Sequence, residues 1–78
     1  MRVSRDELVG AFVHALGREA AEALMNRKVR EAELPYKSSY DIKEIEKIVE
    51  ELKKENALIR TLAMAFMAQA RLRDIQSR

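Results

Sequence analysis

DIKEIEKIVEELKKENALIRTLAMAFMAQARLRDIQ, residues 41–76, is the stretch whose reading decides the fold. Taken with a seven-residue period it lines up Ile42, Ile45, Val49, Leu52, Asn56, Ile59, Ala63, Phe66 and Ala70 on one helix face, the spacing of a packed helical seam. Between Lys43 and Glu55 nine charges occupy the other faces, which makes a wet outer surface, whereas Thr61 to Ala70 carries none and calls for fuller cover. A straight helix of ~35 residues would run about 50 Å at 1.5 Å per residue. A chain of 78 residues is too small to wrap that length, so the stretch either bends or lies against a partner.

Working outward, the start of the stretch is well marked. Asp41 is placed to cap the helix, Glu44 to reach back to the cap N–H, and Tyr40 to pack on Ile45, a capping box with a hydrophobic staple. Ser4, Glu7, Val3 and Leu8 repeat the same signal near the N-terminus. From there Val9, Phe12, Val13, Leu16, Ala20, Ala23 and Leu24 form an apolar stripe at helical spacing. Gly10 and Gly17 interrupt it, each costing ~1 kcal/mol relative to alanine inside a helix. One continuous helix is the expectation, with a break at Gly17 as the alternative. Pro35 ends this arm, and Pro35 to Tyr40 is short enough to make the two arms antiparallel neighbours.

Asn56 is ambiguous. In an unbroken seam it is a buried polar residue that fixes register; otherwise Lys53-Lys54-Glu55 ends one helix and Asn56 takes the left-handed geometry it tolerates. The expected fold is all-α: a long antiparallel helical hairpin with a helix over about 4–34, a linker at 35–40 and a helix or helix pair over 41–76. For a chain of this length apolar burial and ordering entropy nearly cancel. An elongated hairpin buries less still, so dimerisation into a helical bundle is expected, with Ile45, Val49, Leu52, Asn56, Ile59, Ala63, Phe66 and Ala70 as the interface.

No constellation specifies a reaction. Cysteine is absent, which removes thiolate nucleophiles, disulfides and cysteine-based zinc sites. His14 is the single histidine, and one helical turn away stand Gly10, Gly17 and Arg18, so no ligand set forms around it. The clustered glutamates lie on charged faces without the Glu-x-x-His companion of a bundle metal site. No glycine-rich phosphate loop exists. We therefore expect no enzyme, no cofactor and no metal.

Charge is the remaining guide. The net charge is +2 and the sequence pI about 9.2; the excess lies after Asn56, where Arg60, Arg71, Arg73 and Arg78 face Asp74 alone. On one continuous helix Lys53, Arg60, Arg71 and Arg78 would form a row able to track phosphates, although no aromatic side chain is interleaved for base stacking. Met64, Phe66, Met67 and Leu72 form an adaptable apolar surface. The longest uncharged run is half a membrane span, and no signal peptide is visible. The expectation is a cytoplasmic, non-catalytic oligomerisation or protein-interaction module, a homodimer with a possible further protein partner. The alternative is a small nucleic-acid-binding regulator using the basic C-terminal third.

Overall fold

A computed structural model describes residues 1–76. Its elements run β1 (Arg2–Ser4), α1 (Arg5–Leu16), α2 (Arg18–Glu31), β2 (Ser39–Asp41), α3 (Ile42–Leu52) and α4 (Ala57–Gln76). The order is a repeated β-α-α unit, and the two strands join the halves: β1 and β2 pair antiparallel, Arg2 opposite Asp41, Val3 opposite Tyr40 and Ser4 opposite Ser39. Each strand runs straight into a capped helix. Ser4 Oγ accepts the Glu7 N–H at 3.0 Å. Asp41 Oδ1 accepts the Glu44 N–H at 2.8 Å while Glu44 Oε1 accepts the Asp41 N–H at 3.0 Å, a closed capping box. The staple residues Val3, Leu8, Tyr40 and Ile45 are all fully buried.

The helical content agrees with the expected class. Three features depart from a simple two-armed hairpin: the small sheet and a break in each arm. Three-residue strands are too short to show alternation, and Val3 and Tyr40 each read as a single apolar residue before a cap. At Gly17, φ is +82° and ψ 160°, a conformation open essentially to glycine; the Gly17 N–H closes α1 on the Val13 carbonyl at 2.7 Å, and the Gly17 carbonyl accepts from Ala21 to open α2. The expected helix over 4–34 is thus two helices folded on each other. α2 stops at Glu31 in a Schellman turn, Leu34 N–H to the Val29 carbonyl (3.1 Å) and Glu33 N–H to the Arg30 carbonyl (2.9 Å), with Glu33 at φ 59°.

The second arm breaks at 53–56. The Lys54 and Glu55 N–H groups tighten onto Glu51 and Leu52, and Asn56 Oδ1 then accepts the Ile59 N–H at 3.0 Å, so Asn56 is the N-cap of α4. It is exposed and has no left-handed backbone. The seam reading of Asn56 is not what the chain does; the alternative break near Asn56 is present, but Asn56 opens α4 as a cap rather than closing α3 in a left-handed turn. The bend is anchored by Glu55, which accepts from Arg27 (2.7 Å) and from Lys28 (3.1 Å) on α2.

With both arms folded, α3 packs on α4 and α2, and α1 on α2 and α4. Leu8, Phe12, Met25, Ile45, Ile48 and Leu52 are fully covered at the centre. The whole measures 34 × 24 × 20 Å, and α4, about 30 Å long at 1.5 Å per residue, spans it.

Candidate functional site

α4 is the element whose surroundings are unequal. Its inner face, Ile59, Ala63, Met67 and Ala70, is buried in the core, with Leu62 and Phe66 packed against it. On the opposite side Leu58, Thr61, Ala65, Ala68, Leu72 and Ile75 recur at three- and four-residue spacing, and all six are exposed. Leu58, Leu72 and Ile75 retain 53%, 55% and 66% of their accessible surface, which makes this outer face an apolar strip. No charged residue falls within it: at 100° per residue Arg60 and Arg71 lie along one margin and Arg73 along the other.

Clefts border both margins. Met64, Ala68 and Arg71 meet Glu46, Val49, Glu50 and Lys53 across the α3 side, while Phe66, Gln69, Ala70 and Arg73 meet Glu7 and Ala11 across the α1 side. The strip is therefore a ridge between two shallow grooves. Two of its three marginal arginines face carboxylates of their own chain: Arg73 donates to Glu7 at 2.5 Å, and Arg71 lies 3.8 Å from Glu46. The hydrogen bond from Arg73, with its positive charge, holds the Glu7 carboxyl below the usual glutamate range despite some desolvation.

The residues expected from the sequence to form an interface turn mostly inward. Ile45, Val49, Leu52, Ile59, Ala63 and Ala70 are buried within the single chain, Phe66 is half-buried, and Asn56 is an exposed cap. The seam closes on the chain's own helices because the bend at 53–56 folds α4 back along α3. A second copy is not required to cover it.

The expected phosphate-contacting row is likewise divided. Lys53 belongs to the end of α3 and donates to Glu50 at 3.1 Å; Arg60 and Arg71 share one edge of α4; Arg78 lies outside the described residues. Lys53 and Arg71 border one cleft with Glu46 and Glu50, two positive and two negative groups whose charges offset. His14 is exposed near the end of α1.

The α2–α3 connection is the other polar feature. Glu33 to Glu44 has the twelve-residue span of a helix–loop–helix calcium site, with carboxylates at the first, ninth and twelfth places. Its chemistry does not fit the ion. Pro35 and Lys37 stand where the third and fifth oxygen ligands belong, Ser38 replaces the turn glycine, and Lys37 Nζ contacts both Glu44 oxygens at 3.0 and 2.8 Å. That hydrogen bond, followed by the Asp41 N–H, lowers the Glu44 pKa; the Glu44 N–H lowers that of Asp41. The buried Tyr40 hydroxyl accepts from Lys37 N–H (3.1 Å) and donates to the Pro35 carbonyl (3.0 Å), pinning the loop. Among the described residues no three His, Cys, Asp or Glu side chains converge to hold a metal, and no helix is long and apolar enough to cross a membrane.

Compared with known protein families, characterised proteins and solved structures, the chain matches none. Its own surface must supply the functional reading. The signal for the outer strip is present in the sequence as a second heptad series, Leu58, Ala65 and Leu72 with Thr61, Ala68 and Ile75. The deeper series through Ile59 and Ala63 obscures it. Of the four residues singled out as an adaptable apolar surface, Met64 and Leu72 are exposed, Phe66 is half-buried and Met67 is core.

Proposed function

We propose that this chain is a non-catalytic interaction module whose docking surface is the outer face of α4. One observation carries the reading: a five-turn helix that already buries one face in the core keeps an uncharged, apolar face on the outside. A helix that is apolar on opposite sides is ordinarily covered on both. Outer faces of helices that meet only water carry charge, as Arg18, Glu19 and Glu22 do on α2.

Affinity would come from desolvating Leu58, Leu72 and Ile75, and specificity from the flanking arginines and from the small Ala65 and Ala68, which admit a close backbone. A photoreactive amino acid at Ala68, compared with one at Glu22 on the charged face of α2, tests this in extracts of the source cell. Adducts are expected from position 68 and not from 22; equal labelling, or none, contradicts the reading. Nucleic acid retained at low salt and released as salt rises would instead favour a regulator using Arg60 and Arg71.

A further inference from the structure

Resting on that reading, we infer that the occupant of the α4 strip is a second copy of this chain, packed with its α4 antiparallel to the first. The strip is complementary to itself. A two-fold interface presents the same patch twice, so each residue must meet a suitable residue of the same patch. In an antiparallel helix pair, residues facing each other have numbers that add to a constant. For this strip a constant of 133 places Leu58 opposite Ile75, Thr61 opposite Leu72 and Ala65 opposite Ala68 of the other copy. All six positions are matched, with large residues at both ends and small ones at the centre. The same constant pairs Ala57 with Gln76, the two ends of the helix, so α4 overlaps its counterpart over its entire length.

The helix dipoles favour the same arrangement. Arg71 and Arg73 lie in the last two turns of α4, and Arg60 in the first. A parallel pair would align the two helix dipoles, whereas the antiparallel pair opposes them, and the arginines at both ends of α4 weigh equally on the two arrangements. In that arrangement the α3-side margins of the two helices face each other, with Met64 and Arg60 of one copy equally near the level of Arg71 of the other.

Size sets the strength. A strip about 30 Å long and one helix spacing of ~10 Å wide has a projected area of roughly 300 Å² per copy, or roughly 600 Å² over both, which is the size of a weak, transient interface. The dimer is accordingly reversible and concentration-dependent. No thiol is present in the chain, so engineered cysteines report without background.

The experiment uses the whole chain. Light scattering from micromolar to millimolar concentration is combined with cross-linking by a short bis-maleimide of Leu58→Cys, of Ile75→Cys, and of an equal mixture of the two, with circular dichroism confirming that each variant folds. The expected result is a rise to twice the chain mass, a mixed Leu58→Cys/Ile75→Cys adduct, and no adduct of Leu58→Cys with itself. The two Leu58 positions would lie ~26 Å apart, 17 residues at 1.5 Å each. Leu72→Glu is expected to weaken dimerisation at least tenfold without loss of helicity.

A Leu58→Cys self-adduct overturns the antiparallel register. A dimer indifferent to Leu72→Glu overturns the choice of face. A single-chain mass at every concentration overturns the second copy as occupant, and leaves the interaction reading to stand or fall on the Ala68 photoadducts.

Discussion

The ammonium of Lys28, a residue only 3% exposed, sits 3.1 Å from the Glu55 carboxylate and 2.8 Å from Glu31. It thereby joins the last turn of α2 to the bend that folds α4 against α3. Glu55→Ala is expected to destabilise the chain by about 1–3 kcal/mol in urea unfolding, less than the full cost of orphaning a buried charge because Glu31 still serves Lys28. Lys28→Met, which removes the buried charge itself, is expected to cost less than Glu55→Ala.

Stability should be level through the neutral range and fall at both extremes of pH. Burial works against the Lys28 ammonium, but its hydrogen bonds to Glu31 and Glu55 and their negative charge raise its pKa overall. A raised folded pKa gives stability that is complete below the unfolded value near 10.5 and disappears as pH climbs through the folded one. Glu7, Asp41 and Glu44 are shifted down, so their share is complete above the ordinary carboxylate values and disappears as pH falls through the lowered ones. Melting temperature against pH checks both limbs, and Glu44→Gln should flatten the acid one.

Two turn positions should respond in opposite directions. Glu33 holds φ 59°, a region costly for a residue with a Cβ, so Glu33→Gly is expected to gain about 0.5–1 kcal/mol. Gly17 has open space where a methyl group would project, yet its φ is +82°, so Gly17→Ala is expected to lose about 1–3 kcal/mol through backbone strain alone. Chemical denaturation of the two variants reads both signs.

Asn56 offers a sharp discrimination between cap and seam. As the exposed N-cap of α4, accepting from Ile59 at 3.0 Å, it should cost ~1 kcal/mol when changed to Ala and no less when changed to Leu. A buried seam asparagine would instead gain stability from leucine. Thermal melts of Asn56→Ala and Asn56→Leu separate the two.

What the sequence disclosed was local. Asp41 with Glu44, and Ser4 with Val3 and Leu8, mark helix starts because caps and staples act within five residues. The apolar series through Ile45, Val49, Ile59 and Ala63 was visible because burial imposes a period. What covers that series is a non-local matter: the same residues suit a partner helix or the chain's own, and the bend decides. That bend depends on Asn56 acting as a cap and on Glu55 meeting Arg27 and Lys28, contacts separated by 28 and 27 residues that no spacing rule foretells. Gly17 was legible as a breaker but not as a reversal, since its φ is set by α2 packing on α1. The β1–β2 pair rests on Val3 meeting Tyr40, one residue from each strand, which leaves no period to read. The outer strip of α4 was hidden for the opposite reason, two apolar series overlapping in one helix.

If two copies meet on the outer face of α4, backbone amide NMR spectra recorded from tens of micromolar to millimolar protein will register the contact residue by residue. The predicted result is concentration-dependent shifts at Leu58, Ala65, Ala68, Leu72 and Ile75, with Ile45, Ile48 and Leu52 unmoved. Spectra that stay constant across that range, or shifts that gather on α2 instead, would contradict it.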